Sequence, residues 1–276
     1  IDKRPSSEAL SVRAPGPRQG GLGSGVVGDS ICDPRHHGGD DQAVYAYARE
    51  DLDDWQSRLD REITNGVFGE NITTSDVDVT NCLVGERWSI GSDGLMLEAT
   101  SPRTPCKTFS TWLGIPGWIK TFTAGGVPGA YFRVITPGTM RAGDRIEVVD
   151  RPDHSVTIGM VFRALMLEPE LMPALMAADA LPQKIKRQVE RRSKAEPNPV
   201  RGHSRTRCGE TAEAGAGMLA RAGPRGKLLA DPDDFLRDSS KSGLGRRDHA
   251  GAGLMGLFVR DDHANVRRLF EVLDRG

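Results

Sequence analysis

The sequence has 276 residues, of which 37% are hydrophobic, enough to bury one sizeable core. Its 37 Lys and Arg residues balance 38 Asp and Glu residues, so the whole chain has no electrostatic attraction to nucleic acid or to an anionic membrane. No stretch approaches the roughly 20 apolar residues that span a bilayer, and the N-terminus lacks a signal-peptide pattern. We therefore expect a soluble, cytoplasmic protein that binds neither membrane nor nucleic acid.

Short segments rich in β-branched and aromatic residues recur between turns made by Gly, Pro and Asp. They predict strands at 10–13, 77–80, 87–90, 95–100, 131–136 and 145–149. Strands of this length and spacing favour a β-barrel or a β-sandwich. One helix is predicted to interrupt them, with Asp41 as its N-cap. Its apolar positions recur at helical spacing: Val44, Tyr47, Ala48, Leu52, Trp55 and Leu59.

The period of the apolar residues changes after Thr157. Helical spacing begins there, and Pro169 and Pro182 each stand where a further helix can begin, so we predict three short helices over 156–192. From Ser193 the chain is rich in Arg, Gly, Ala, Ser and Pro with little periodicity, which is typical of a disordered tail. A short amphipathic pattern at 265–273 is the exception in that tail.

Gly23, Gly25 and Gly28 match the G-x-G-x-x-G pattern, which in a dinucleotide-binding fold closes a strand and opens a helix. Here a proline-containing segment precedes the glycines, and no helix is predicted before Asp41. We therefore interpret the motif as a loop.

A chemically dense turn combines Arg35, His36 and His37 with two glycines and two carboxylates. Two interpretations stay open for it. His36 and Asp40 could ligate a metal, although adjacent histidines usually point to different sides and no spaced third ligand is apparent. Alternatively, the segment is a capped turn that leads into the helix.

A second polar segment, 68–74, contains Asn71 close to Gly69. The amide of asparagine offers both donors and acceptors, a combination suited to holding a polar heterocycle. An ordinary turn is the alternative interpretation.

The strongest local pattern surrounds Cys106, shortly after the apolar strand 95–100. Prolines restrict the backbone on its N-terminal side, and Arg103 and Lys107 bracket it with positive charge, which favours the thiolate. A thiolate can ligate a soft metal or act as a nucleophile. An inert core thiol is the alternative, and the residues alone do not decide between the two.

These segments, in this order, resemble the MOSC family, named for the C-terminal domain of molybdenum cofactor sulfurase. The match is best with its free-standing bacterial branch, the 6-N-hydroxylaminopurine resistance type. The similarity lies in 1–5, 28–29, 33–47, 68–74, 101–106 and 129–134, and 156–181 is similar to the C-terminal helices of that branch.

The resemblance implies a mainly β fold. A MOSC-type β-barrel with one inserted helix would occupy 1–155, a small C-terminal helical bundle 156–192, and a low-complexity tail 193–276. The tail itself resembles nothing in the family. Because the first strand of the family lies N-terminal to the position of Ile1, the barrel is expected to have an open edge.

The resemblance also implies that the open end of the barrel binds the molybdopterin form of the molybdenum cofactor, with Cys106 as the metal ligand. Lys3 and Arg103 would hold the phosphate and the pterin of this anionic cofactor. Asn71 would hydrogen-bond to the pterin or to an oxygen of the metal centre, and Ser101 belongs to the same cofactor-binding group.

Members of this branch reduce N-hydroxylated compounds such as hydroxylaminopurines, so the resemblance implies a molybdenum-dependent oxidoreductase that serves detoxification of small N-hydroxylated substrates. Arg35, His36 and His37 would line the entrance, where a histidine could protonate the departing hydroxyl. The sequence contains no flavin, iron–sulfur or credible nicotinamide motif, so a separate electron-donating reductase is expected as a partner.

Two other function classes remain open. In the first, Cys106 carries a persulfide, and the chain is a sulfur carrier or cofactor-binding module. Pyridoxal phosphate is not expected, because no lysine stands in a recognisable Schiff-base context. In the second, the chain is a noncatalytic interaction protein whose basic run 184–207 forms the contact surface.

Overall fold

The fold is built around one large sheet, as seen in a computed structural model that describes residues 3–194 and 255–259. Within those residues the strands are, in chain order, β1 (Arg4–Pro5), β2 (Leu10–Val12), β3 (Val44–Ala48), β4 (Ile72–Thr74), β5 (Arg87–Ile90), β6 (Leu95–Pro102), β7 (Ala130–Thr136), β8 (Gly138–Met140), β9 (Ile146–Asp150) and β10 (Met255–Val259). The eight-stranded sheet has the order β1-β10-β4-β3-β7-β6-β5-β9, and β2 pairs with β8 in a separate ribbon.

The predicted mainly β, MOSC-type fold is confirmed. The sheet curls into a half-barrel, and its neighbouring strands are antiparallel except for the parallel pair β3 and β4. Five of the six predicted strands are present, one with the predicted bounds (β5) and four with bounds shifted by one or two residues (β2, β6, β7 and β9). The segment 23–28 is a loop, as interpreted, in which Val26 forms an isolated bridge to Val12.

The predicted helix from Asp41 is wrong over 44–48, although Asp40–Gln42 form a short 3-10 helix. Residues Val44–Ala48 form strand β3, and helix α1 (Arg49–Leu59) begins only after it. Every residue of β3 is buried. Tyr45 and Tyr47 pack on one face of the sheet, and Val44, Ala46 and Ala48 pack on the other. A strand buried on both faces has no alternation of polar and apolar residues, so periodicity cannot distinguish its apolar run from the apolar face of a helix.

The predicted strand at 77–80 is also absent. The segment is a turn, in which the backbone N–H of Asn81 donates to Asp78 Oδ1 at 3.0 Å and Asp76 adopts a φ of 60°. Val79 is nevertheless fully buried. Val79 and the partly buried Val77 therefore anchor a turn to the core. The segment is not a strand because short polar side chains such as that of Asp78 bond to nearby backbone groups and compete with strand pairing.

The three predicted C-terminal helices are present as α4 (Ile158–Met166), a 3-10 helix over Pro169–Ala177 and α5 (Gln183–Lys194). Helix α4 packs against β6. Two helices that the periodicity did not predict precede it, α2 (Lys107–Leu113) and α3 (Trp118–Gly125). Among the described helices, none is long and apolar enough to cross a membrane.

Strand β10 lies inside the segment that the sequence predicts to be a disordered tail. It pairs antiparallel with β1 on one side and with β4 on the other, and it belongs to the same compact unit as residues 3–193. This part of the tail prediction is therefore wrong. The helical pattern at 265–273 and the rest of the tail lie outside the described residues.

Candidate functional site

Cys106 lies between the central strand β6 and helix α2. Its backbone is extended, with φ −130° and ψ 167°, and its carbonyl accepts the Ser110 N–H at 3.1 Å, the first hydrogen bond of α2. Strand β6 delivers the chain to this point, and the preceding prolines hold it extended. The thiol packs against an aromatic cluster but keeps part of its surface exposed.

His37 is the main electrostatic partner of this thiol. A hydrogen bond with the His37 side chain, opposed by partial burial and aided by the Phe109 N–H and the Arg103 charge, lowers the pKa of Cys106 to about 7. A substantial fraction of the thiol is therefore thiolate at neutral pH. Cys82, by contrast, is buried in the core, and burial raises the pKa of its thiol well above the ordinary value.

The two adjacent histidines have different surroundings. His36 is exposed, and its Nδ1 lies 2.9 Å from Asp33 Oδ2, while the exposed Arg35 contacts the same carboxylate at 3.2 Å. In the part of the chain that the structure describes, no three His, Cys, Asp or Glu side chains come together as a metal site. His36 and Asp40 have different partners, since Asp40 accepts the Gly16 N–H at 2.8 Å.

The turn that carries His37 is held by close backbone packing. Gly38 has a φ of 80°, and a Cβ on it would lie 2.7 Å from the carbonyl oxygen of Gly23. Gly39 likewise leaves no room for a Cβ against Arg18. The glycines thus let two loops approach closely, which fixes the position of the histidine beside Cys106.

Arg103 is buried directly beside the thiol. Its guanidinium lies over the ring of Phe109 at 4.0 Å and over the ring of Tyr45 at 5.2 Å, and it donates to the carbonyl oxygen of Phe68. Among the described residues it forms no ion pair with a carboxylate. Its positive charge is therefore compensated only by ring faces, a carbonyl and the Cys106 thiolate.

Lys3 and Asn71 meet at a buried carboxylate. Asp29 Oδ2 accepts from Lys3 Nζ at 2.9 Å, from Asn71 Nδ2 at 2.9 Å and from Ser24 Oγ at 2.8 Å. Burial alone would raise the pKa of Asp29, but the Lys3 charge and these hydrogen bonds lower it. Burial lowers the pKa of Lys3 in spite of the carboxylate. The structure therefore gives Lys3 and Asn71 a shared internal partner that the sequence did not indicate.

Asn71 is also fixed at its other end. Its Oδ1 accepts the Tyr45 N–H at 3.1 Å, and its own N–H donates to the Tyr45 carbonyl at 2.7 Å. Ser101 is buried on β6, directly opposite Tyr131 of β7. Both predicted cofactor-binding residues thus lie next to Tyr45 and Tyr131, whose tilted rings pack with centroids 4.8 Å apart.

Known proteins resemble this chain in sequence and in fold. The family model for the MOSC domain matches residues 33–147, which include His37, Asn71 and Cys106. Residues 33–147 are thus identified as a MOSC domain. The MOSC assignment agrees with the fold as well: YiiM from Geobacillus stearothermophilus has a TM-score of 0.52 at 25% identity, covering 56% of this chain and 80% of that one.

Several curated proteins resemble the MOSC chain in sequence. YflK of Bacillus subtilis, described as uncharacterized, is 29% identical over 57% of this chain and 66% of its own length. YiiM of Escherichia coli is 28% identical over 46% of this chain and 57% of its own length. A Gibberella moniliformis protein named "Reductase" is 30% identical over 47% of this chain. The chain spans only 23% of that fungal protein.

Three residues of this MOSC site were missed as candidates. Asp29 and Tyr131 lie inside the segments that carry the family resemblance, but nothing in their local sequence assigns them a role. Tyr45 was assigned to no site because the segment around it was interpreted as a helix. A correct strand assignment for β3 would have placed Tyr45 opposite Tyr131, since cross-strand neighbours share a face.

Alkylation of Cys106 by iodoacetamide should have its midpoint near pH 7 in metal-free protein, because the thiolate is the reactive form and the pKa of the thiol is about 7. Replacing His37 with alanine should move this midpoint to higher pH, since it removes the largest lowering contribution. Mass spectrometry of the Cys106 peptide measures the rate at each pH. The buried Cys82 is the internal control and should stay unmodified. A wild-type midpoint at the ordinary cysteine value of about 8.5 would contradict the lowered pKa of the Cys106 thiol.

Proposed function

We propose that this MOSC chain binds the molybdenum cofactor with Cys106 as its protein ligand to the metal and reduces small N-hydroxylated compounds, hydroxylaminopurines being the model substrates. The observation that carries the proposal is the pairing of a partly exposed thiol, whose pKa is about 7, with the buried Arg103, which has no carboxylate partner among the described residues. A soft thiolate and a buried cation that no carboxylate neutralises among the described residues suit a metal bound to an anionic pterin.

The residues present fit the cofactor in charge and in ligand type. Arg103 would face the anionic part of the group, and Cys106 would ligate the metal without help from a second protein side chain, in accord with the lack of a metal cluster among the described residues. Lys3 and Asn71, which share Asp29, would shape the neighbouring wall and hold the pterin. When bound, the cofactor would supply the electrons that cleave the N–O bond.

The protein groups then handle protons and orientation. Overall, the hydroxylamine takes up two electrons and two protons and yields the amine and water, so the departing oxygen must be protonated. His37, whose side chain interacts with the Cys106 thiol, would deliver a proton there. His36 and Arg35 are more exposed and remain proposed residues of the entrance. The electrons come from a separate reductase as partner, and the name of the fungal relative agrees with reductase chemistry.

The proposal is tested by elemental analysis of protein purified from a host that makes molybdopterin, followed by turnover with a chemical electron donor. We expect a stoichiometric amount of molybdenum and conversion of 6-N-hydroxylaminopurine to adenine. Protein that contains no molybdenum under these conditions would contradict the proposal.

A second candidate rests on the same thiolate. If Cys106 carries a persulfide, the chain is a sulfur carrier, and the pKa of about 7 and partial exposure serve thiol exchange equally well. The same preparation separates the two functions, because a carrier would be free of molybdenum and would release sulfur to cyanide. Pyridoxal phosphate chemistry is not proposed, since the buried Lys3 is paired with Asp29.

A further inference from the structure

The hydroxyl of Tyr131 is an unused hydrogen-bond donor next to Cys106. Tyr131 lies on β7 at the centre of the sheet, with Tyr45 opposite it on β3 and Ser101 opposite it on β6. Cross-strand neighbours share a face of the sheet, so the phenol lies on the face that carries Tyr45. Both Tyr131 and Cys106 pack against the aromatic cluster to which Tyr45 belongs.

Electrostatic coupling also places the phenol close to the reactive groups. Burial raises the pKa of Tyr131, Arg103 opposes that effect, and Cys106 adds to it. A tyrosine phenol ordinarily keeps its proton at neutral pH, so its O–H can act as a donor. Its ring is fixed by stacking on Tyr45 at 4.8 Å, and Tyr45 in turn lies against Arg103.

The neighbouring tyrosines differ from Tyr131 in one respect. The hydroxyl of Tyr45 donates to the carbonyl of Pro128 at 2.7 Å, and that of Tyr47 donates to the carbonyl of Val127 at 2.6 Å. Within the described residues, the Tyr131 hydroxyl forms no hydrogen bond. A partly exposed phenol with a fixed ring and no internal acceptor is suited to donate a hydrogen bond to an acceptor atom of a ligand.

We propose that Tyr131 is the substrate-binding residue whose O–H donates a hydrogen bond to the oxygen of the N-hydroxyl group, and that it thereby selects N-hydroxylated over deoxygenated purines. This inference rests on the proposed function, because it assigns a contact to the same substrate class. His37 and Tyr131 then have separate tasks at the oxygen: His37 supplies a proton, and Tyr131 orients the N–O bond.

The test compares two ligands that differ by one oxygen, 6-N-hydroxylaminopurine and adenine. Calorimetry on the molybdenum-loaded protein gives the affinity ratio, and steady-state kinetics gives kcat and KM separately. The wild type should prefer the hydroxylamino compound. Tyr131→Phe keeps the ring and its stacking, and it should lower that preference about tenfold or more, because a site that hydrogen-bonds an oxygen discriminates through that bond.

Tyr47→Phe is the matched control. It also removes one phenolic hydroxyl, but that hydroxyl is bonded internally to Val127, so the variant should lose thermal stability and keep the ligand preference. An unchanged preference in Tyr131→Phe, with wild-type preference intact, would overturn the role of Tyr131 and leave the proposed function standing. A wild type that neither binds nor reduces the hydroxylamino compound would overturn both.

Discussion

Cys106→Ser is expected to lower kcat/KM for 6-N-hydroxylaminopurine reduction at least about a hundredfold and to remove bound molybdenum. The thiol of Cys106, with a pKa of about 7, is ionised in substantial part at neutral pH, whereas a serine hydroxyl stays protonated. Serine also offers a hard oxygen in place of a soft sulfur. Steady-state kinetics and metal analysis on the same preparation measure the two effects together.

Cys32→Ser is the matched control for this substitution. Cys32 is exposed and has no role in the proposed chemistry, so the variant should retain wild-type turnover and metal content. Wild-type kcat/KM in Cys106→Ser would refute the proposed chemistry at this residue. Loss of metal in both variants would mean that a general thiol effect, and not ligation by Cys106, explains the result.

Asp29→Ala is expected to lower the free energy of unfolding by about 3–5 kcal/mol at pH 7. The substitution leaves the buried Lys3 ammonium without its counter-ion and removes the shared acceptor of Asn71 and Ser24. A buried charge without a partner costs far more than the loss of a surface ion pair. Urea denaturation of the two proteins at equal ionic strength measures the difference.

The double variant Lys3→Met/Asp29→Ala separates charge from packing. It removes the unpaired ammonium, so it should recover part of the lost stability.

The pH dependence of this effect has a definite sign. Since the folded pKa of Asp29 is lowered, the contribution of Asp29 to stability is present above the unfolded pKa and is lost as the pH falls through the folded value. The difference in the free energy of unfolding between wild type and Asp29→Ala should therefore become smaller as the pH falls. A cost below about 1 kcal/mol at pH 7 would show that the pair behaves like an exposed one.

Local patterns sufficed for the elements that turn residues set apart from their neighbours. Strands β5 and β6 and helix α4 were predicted within one or two residues because their sequences carry clear period and turn signals. Strand β3 was not, because both of its faces are buried and its apolar run continues without a break into α1. Periodicity cannot separate such a strand from a helix, and only pairing with β4 and β7 decides its conformation.

The site was predictable to a similar extent. The local sequence alone made Cys106 a candidate, because prolines and basic residues surround it. The family resemblance added Lys3, Asn71 and Arg103 as residues of the same site. The contact of His37 with that thiol, and not of His36, depends on how the glycine turn packs on the loop before it. The bond between Lys3 and Asp29 joins residues that the sheet brings together, so no spacing rule could have found it.

The position of β10 has a consequence for how the sheet meets its surroundings. An exposed edge strand offers unpaired N–H and C=O groups to other chains, which is a common start of aggregation. With β10 seated on β4, the sheet of the described residues ends instead at β1, a two-residue strand of one arginine and one proline. Short length, charge and a missing N–H each make an edge a poor template. The opposite edge, β9, carries Glu147 and Asp150. The two margins of the half-barrel thus discourage strand addition by other proteins.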